Sequence, residues 1–172
     1  MLGIKNYNPK MYTNPSNIIG DHRTKLETLI GKNVKEIWVV WAQDEDEWFN
    51  DCLVIICFED GQLELCAYKT NEYAVTIDKI LVSQGLSWYG SDLKLNWEKN
   101  KLEELNFAIG KEVIGIEMIE RRETNASDYY LAGIGLHVKD GYFAICNGFD
   151  ENLIIKKREE GPNFKHTIIW ET

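Results

Sequence analysis

The sequence predicts an α+β fold: two tandem α-β-β-β units, mostly antiparallel sheet, with two helices packed on it. Three observations lead there. Ile30-Gly31-Lys32-Asn33-Val34 returns as Ile109-Gly110-Lys111-Glu112-Val113, an offset of 79 (109 − 30). Asp60-Gly61 returns as Asp140-Gly141, an offset of 80 (140 − 60), so one net residue is gained in between. Each Asp-Gly sits between apolar runs that alternate with period two, the pattern of a β-hairpin. One such unit cannot bury its apolar face alone, so the two are expected to pack as a single domain over 1–172, with pseudo-repeats at about 21–80 and 97–155.

Residues 1–20 carry Asn8-Pro9 and Asn14-Pro15-Ser16-Asn17, a turn composition. They predict an irregular arm that packs through Ile4, Tyr7, Tyr12, Ile18 and Ile19. The first helix is expected from Asp21, its cap, to Ile30, with Gly31 closing it. The second is expected from Trp97 to Ile109, capped by Asn96, with Trp97, Leu102, Leu105 and Ile109 on its apolar face. Strands follow at Val34 to Ala42 and Val113 to Glu120, then the two hairpins. With Asp-Gly as a two-residue turn, Ile56 opposes Leu65 and Leu136 opposes Ile145, and the large apolar residues share one face in both units. The other face carries Ile55, Cys57, Glu64 and Cys66, then Gly135, His137, Ala144 and Cys146; its mixed character predicts partial cover or solvent. Tyr73 to Lys79 and Phe164 to Trp170 complete the strands.

The formal net charge of −9 and the pI near 4.9 argue against sequence-independent nucleic-acid binding, which needs a basic face, and favour basic partners. No apolar run reaches the length of a membrane span, and the N-terminus lacks a signal-peptide core, so the expected location is the cytoplasm. Four cysteines without a C-x-x-C pair read as reduced thiols in a strand-rich core, with Cys57 and Cys66 diagonal neighbours; no metal or cofactor is expected. The phosphate-binding, dinucleotide-binding, nucleophile-elbow and zinc-hydrolase motifs are all absent.

The sharpest feature is the stretch after the first strand. Trp41 runs into Asp44, Glu45, Asp46 and Glu47, then Trp48 and Phe49. The second unit has no counterpart, reading Glu120-Arg121-Arg122-Glu123 instead, which is how a function grafted onto one copy of a repeat looks. Carboxylates supply steering and pairing to Lys or Arg, while Trp supplies buried area at little entropic cost. The bland alternative is a solvated acidic loop tip whose tryptophans turn back into the core. A rival site of another class is a small-molecule or hydrolase pocket at the junction of the units, lined by Trp38, Trp88, Tyr89 and His137. A third is self-association that buries Trp48 in a homodimer.

Ile30-Gly31-Lys32, Trp38-Val39-Val40-Trp41 followed by acids, Glu59-Asp60-Gly61-Gln62-Leu63 and Trp88-Tyr89-Gly90 together resemble small acidic proteins of Bacillus-type bacteria. In overall character the chain is also similar to immunity proteins that neutralise polymorphic toxins. That resemblance implies a non-catalytic cytoplasmic α+β protein whose partner is a basic toxin domain; it carries over no site residues.

Overall fold

The computed structural model describes residues 2–170, which form two antiparallel sheets laid face to face. The first contains β1 (Met11–Tyr12), β2 (Glu36–Ala42), β3 (Glu47–Trp48), β4 (Val54–Cys57), β5 (Gln62–Tyr68), β6 (Glu72–Ile77) and β7 (Leu95–Lys99). The second contains β8 (Val113–Arg121), β9 (Tyr130–Val138), β10 (Gly141–Asn147), β11 (Asn152–Ile155) and β12 (Phe164–Trp170). One α-helix, α1 (Pro15–Leu29), and a 3-10 helix at Glu103–Ala108 complete the described elements. The chain is therefore mostly sheet, and the expectation of two α-helices on one sheet is corrected.

Both sheets follow the same path. In the first, β2, the interrupted strand β3–β4, β5 and β6 run as a meander, and β7 crosses back to pair with β2. In the second, β8, β9, β10 and β11 do the same, and β12 returns to β8. The Ile-Gly-Lys segments meet at the junction, where Asn33 and Glu112 form an antiparallel bridge. Around it the bonds come in matched pairs: Gly31 N–H donates to Val113 O and Gly110 N–H to Val34 O, each at 2.7 Å. Val34 N–H donates to Lys111 O and Val113 N–H to Lys32 O, each at 2.9 Å. Gly31 and Gly110 both take the left-handed φ (+85° and +78°) that this sharp entry into the strand demands.

The core lies between the sheets. Ile37, Val39, Val54, Ile56, Leu63, Leu65 and Val75 meet Ile116, Met118, Leu131, Ile134, Leu136, Phe143 and Ile145, and α1 adds Ile18, Leu26 and Leu29. The predicted apolar hairpin face is this inward face. The hairpin register differs, however: Ile56 opposes Leu63 and Leu136 opposes Phe143. The turn residues are Glu59-Asp60 and Lys139-Asp140, with the glycine after the turn rather than in it; Phe58 N–H donates to Gly61 O at 3.0 Å. Asp140 itself takes φ +64°, so the second turn does not need glycine at that position. The slip is by two residues, an even number, so every side chain keeps its face. It does separate Cys57, which opposes Gln62, from Cys66, so these are not diagonal neighbours.

Three other expectations change. The first helix starts six residues earlier, at Pro15, because Asn14 caps it: its Oδ1 accepts the Asn17 N–H at 3.1 Å, and proline sits at the first helical position. Asp21 instead pairs with Lys10 and accepts from Tyr12. Trp97 is not helical; it lies in β7, which closes the free edge of β2, so sheet pairing overrides the local helical periodicity. Asn100, at φ +52°, ends that strand, and its Oδ1 accepts the Ile37 N–H at 2.8 Å. The mixed hairpin face of the first unit is covered more fully than expected: Ile55, Glu64 and Cys66 are fully buried beneath the N-terminal arm, through Leu2, Ile4 and Tyr7, and the loop after β6, and Cys57 alone of the four stays half-buried.

Asn152 bolts the two sheets together at the break between β3 and β4. Its Nδ2 donates to Asn50 O at 2.8 Å and Cys52 O at 2.6 Å, and its Oδ1 accepts the Ala67 N–H at 2.8 Å. It is 1% exposed. Tyr73, buried in the first sheet, adds a bond to Ile145 O at 2.7 Å.

Candidate interaction face

The acidic stretch is a tight hairpin tip. Trp41 opposes Trp48 and Ala42 opposes Glu47, so residues 43–46 form the turn, and Asp46 closes it at φ +52°. All four carboxylates, Asp44, Glu45, Asp46 and Glu47, are exposed. Two are engaged locally: Asp44 accepts from Lys94 Nζ and Asp46 from the Trp41 indole, each at 2.9 Å. Among the described residues Glu45 and Glu47 have no ion-pair partner. Trp41 and Trp48 are half-buried and pack against the main core, which makes the hairpin a stiff projection rather than a loose loop.

Phe49 turns to the outer side of the first sheet and leads into a second aromatic group. Its ring meets Trp88 edge-on, with centroids 4.9 Å apart, and Trp88 meets Tyr89 edge-on at the same distance. The loop that carries them is stapled to the N-terminal arm: Ser87 N–H donates to Gly3 O at 2.8 Å, and Ile4 bridges Leu86. Gly3 is required there, because a Cβ would stand 2.9 Å from the Trp88 ring. Beside Trp88 and Tyr89 a cleft of about 360 Å³ opens, lined also by Asp51, Tyr68, Lys69 and Asp150. Asp51 titrates above the usual carboxylate range, because it is partly desolvated and because Glu151 and Asp150 stand nearby. Acidic hairpin, aromatic stack and acidic cleft thus follow one another along residues 44–51.

The four residues of the rival pocket are not brought together. Trp38 and Trp88 lie in the cluster on the outer side of the first sheet, and His137 lies on the outer side of the second. The core fills the junction between the units.

His137 belongs to a constellation that sequence reading missed. Glu117, in the middle of β8, is fully buried. Its Oε1 accepts from Tyr142 Oη at 2.6 Å and its Oε2 from Arg158 Nε at 3.0 Å. His137 Nε2 and His166 Nδ1 each lie 3.3 Å from Oε2, attracted but not aligned as hydrogen bonds. Burial alone would raise the Glu117 pKa; His137, Tyr142 and Arg158 reverse that and hold it at about 2. Burial and the adjacent carboxylate push the Tyr142 phenol far above its usual range. The carboxylate is thus committed to four neighbours. Gly135 makes room, since a Cβ there would fall 2.6 Å from Tyr142 Oη. The signal available in the sequence was a Glu inside the apolar run Ile116-Glu117-Met118.

The cysteines are all free, and burial pushes the thiols of Cys52 and Cys146 up to about 12 and that of Cys57 to about 11, so they are poor nucleophiles at neutral pH. Among the described residues no group of three or more His, Cys, Asp or Glu side chains is arranged to hold a metal ion. No described helix is long and apolar enough to cross a membrane. Compared with family models, curated proteins and solved structures, the chain matches none.

Proposed function

We propose that this protein is a non-catalytic binding module that captures a basic protein through the face running from Trp41 to Phe49. The observation that carries the reading is the anchored hairpin. Four exposed carboxylates project on a strand pair whose two tryptophans are fixed in the core, on a chain of net charge −9. A preorganised charged projection of this kind speeds association with a partner of opposite sign and loses little entropy on binding. The resemblance to immunity proteins points to a toxin domain as the partner and to the cytoplasm as the place where they meet. We also infer that the two units descend from one duplicated ancestor, on the strength of their shared strand path and the paired hydrogen bonds at Gly31 and Gly110. In that history the acidic hairpin is the part that diverged to bind.

Replacing Asp44, Glu45, Asp46 and Glu47 together by Lys reverses the charge of the projection; it removes the Asp46 acceptor of the Trp41 indole but leaves the packing of both half-buried tryptophans against the core. Stopped-flow association with the partner is expected to slow by roughly tenfold or more at low ionic strength and to lose its salt dependence. An unchanged rate would contradict the proposal.

A further inference from the structure

We propose that the cleft beside Trp88 and Tyr89 is a cage for a guanidinium group, the side chain of an arginine presented by the basic partner. The inference rests on the reading of this protein as a binder of a basic protein, and it adds a second point of contact with a defined chemistry. The walls are aromatic: Tyr68, Trp88 and Tyr89 border a cavity of about 360 Å³. Two carboxylates, Asp51 and Asp150, line the same cavity, and neither has an ion-pair partner among the described residues. Aromatic faces attract cations, and a carboxylate beside them supplies the paired acceptor.

The cleft already shows this attraction on the chain's own cation. Lys69 Nζ stands 5.1 Å from the Tyr68 ring centroid, while Glu72, 3.4 Å away, ties it at the rim. Lys69 therefore neutralises Glu72 rather than the two aspartates. The geometry favours arginine over lysine. A planar guanidinium stacks on an aromatic ring while its edge pairs with a carboxylate, which a compact ammonium cannot do at once. The cage is also built in advance. Trp88 is wedged between Gly3 and Phe49, and Tyr89 is held on it at φ +46° with 66% of its surface exposed. A large aromatic held exposed in a left-handed conformation is the kind of local feature that clusters at ligand clamps.

The probe is N-acetyl-arginine methylamide, with the citrulline analogue as its neutral isostere. The readout is the ¹H–¹⁵N cross-peak of the Trp88 indole, assigned with Trp88→Phe, in the full chain. The arginine derivative is expected to shift that peak saturably and the citrulline analogue to leave it in place. Tyr89→Ala and Asp150→Asn are each expected to weaken the response about tenfold. Both positions are exposed, and Asn tolerates the left-handed backbone at residue 150, so the fold is retained; a thermal melt of each variant verifies that. No saturable shift, or an equal one with citrulline, overturns the cage. The two proposals fail separately. If the arginine derivative binds at Trp88 but no basic protein is captured, the cage stands and the partner reading falls. If a basic protein is captured through the hairpin and Tyr89→Ala leaves its affinity unchanged, the partner reading stands and the cage falls.

Discussion

At the scale of single residues, two buried polar side chains carry more of this structure than their number suggests. The Asn152 side chain satisfies Ala67 N–H, Asn50 O and Cys52 O where the strand between β3 and β4 is broken; its loss leaves Ala67 N–H and Cys52 O without their partner, while Asn50 O keeps the backbone N–H of residue 152 at 2.9 Å. Asn152→Ala is expected to cost about 3 kcal/mol in urea unfolding, since each orphaned buried group costs roughly 1–3 kcal/mol and water recovers part of it. A loss near zero would mean that the break is held by something else. Glu117 makes the second case. Its pKa in the folded protein is about 2, below the ordinary 4.5, so its contribution is present in full above about pH 4.5 and is lost as pH falls toward 2. Glu117→Gln is therefore expected to destabilise by about 3 kcal/mol at pH 7, and the gap to the native protein should close toward pH 2. Unfolding curves at a series of pH values test this; a gap independent of pH would mean that packing rather than charge sets the cost. The sequence displayed both residues without revealing either role. Their partners lie up to 102 residues away in the chain, and only the folded sandwich brings them together.

At the scale of elements, what could be read depended on whether the signal was local. Alternating apolar residues located both hairpins and put the right side chains inward, because period two is a property of the strand itself. The register within them was off by two: in the second hairpin Asp140 takes the left-handed turn position in place of the adjacent glycine, and in the first Gly61 takes a positive φ (+103°) just after the Glu59-Asp60 turn. The Trp97 segment carried a helical pattern and became a strand, because the open edge of β2 offered it a ladder from Trp38 to Ala42. The start of α1 was hidden by Asn14-Pro15-Ser16-Asn17, a composition that serves a turn and a helix cap equally well. The cap itself is testable. Asn14→Ala is expected to lower stability by about 1 kcal/mol, and Asn14→Asp to preserve it, in parallel denaturation curves. Equal losses from the two substitutions would remove Asn14 as the cap.

At the scale of the whole molecule, the two sheets have been put to different uses. The outer side of the second is occupied by a buried carboxylate and the strap that brings Arg158 to it. The outer side of the first is covered by the N-terminal arm and ends in the aromatic stack of Phe49, Trp88 and Tyr89, next to the acidic hairpin. The candidate contact surface was legible in its acids and its flanking aromatics. Its extension to Asp51, Tyr68 and Asp150 was not, because those residues converge only when β5 and the turn after β10 come alongside. If this acidic-aromatic face holds a basic protein, retention of that protein depends on the charge of residues 44–47, and a paired capture reads this out. The native protein and the variant with Lys at 44–47 are immobilised separately, exposed at low salt to a lysate of the host, and the retained proteins are identified by mass spectrometry. One basic protein is expected to be held by the native chain, released by salt and absent from the variant. Equal retention by both chains, or retention of no basic protein by the native one, would contradict it.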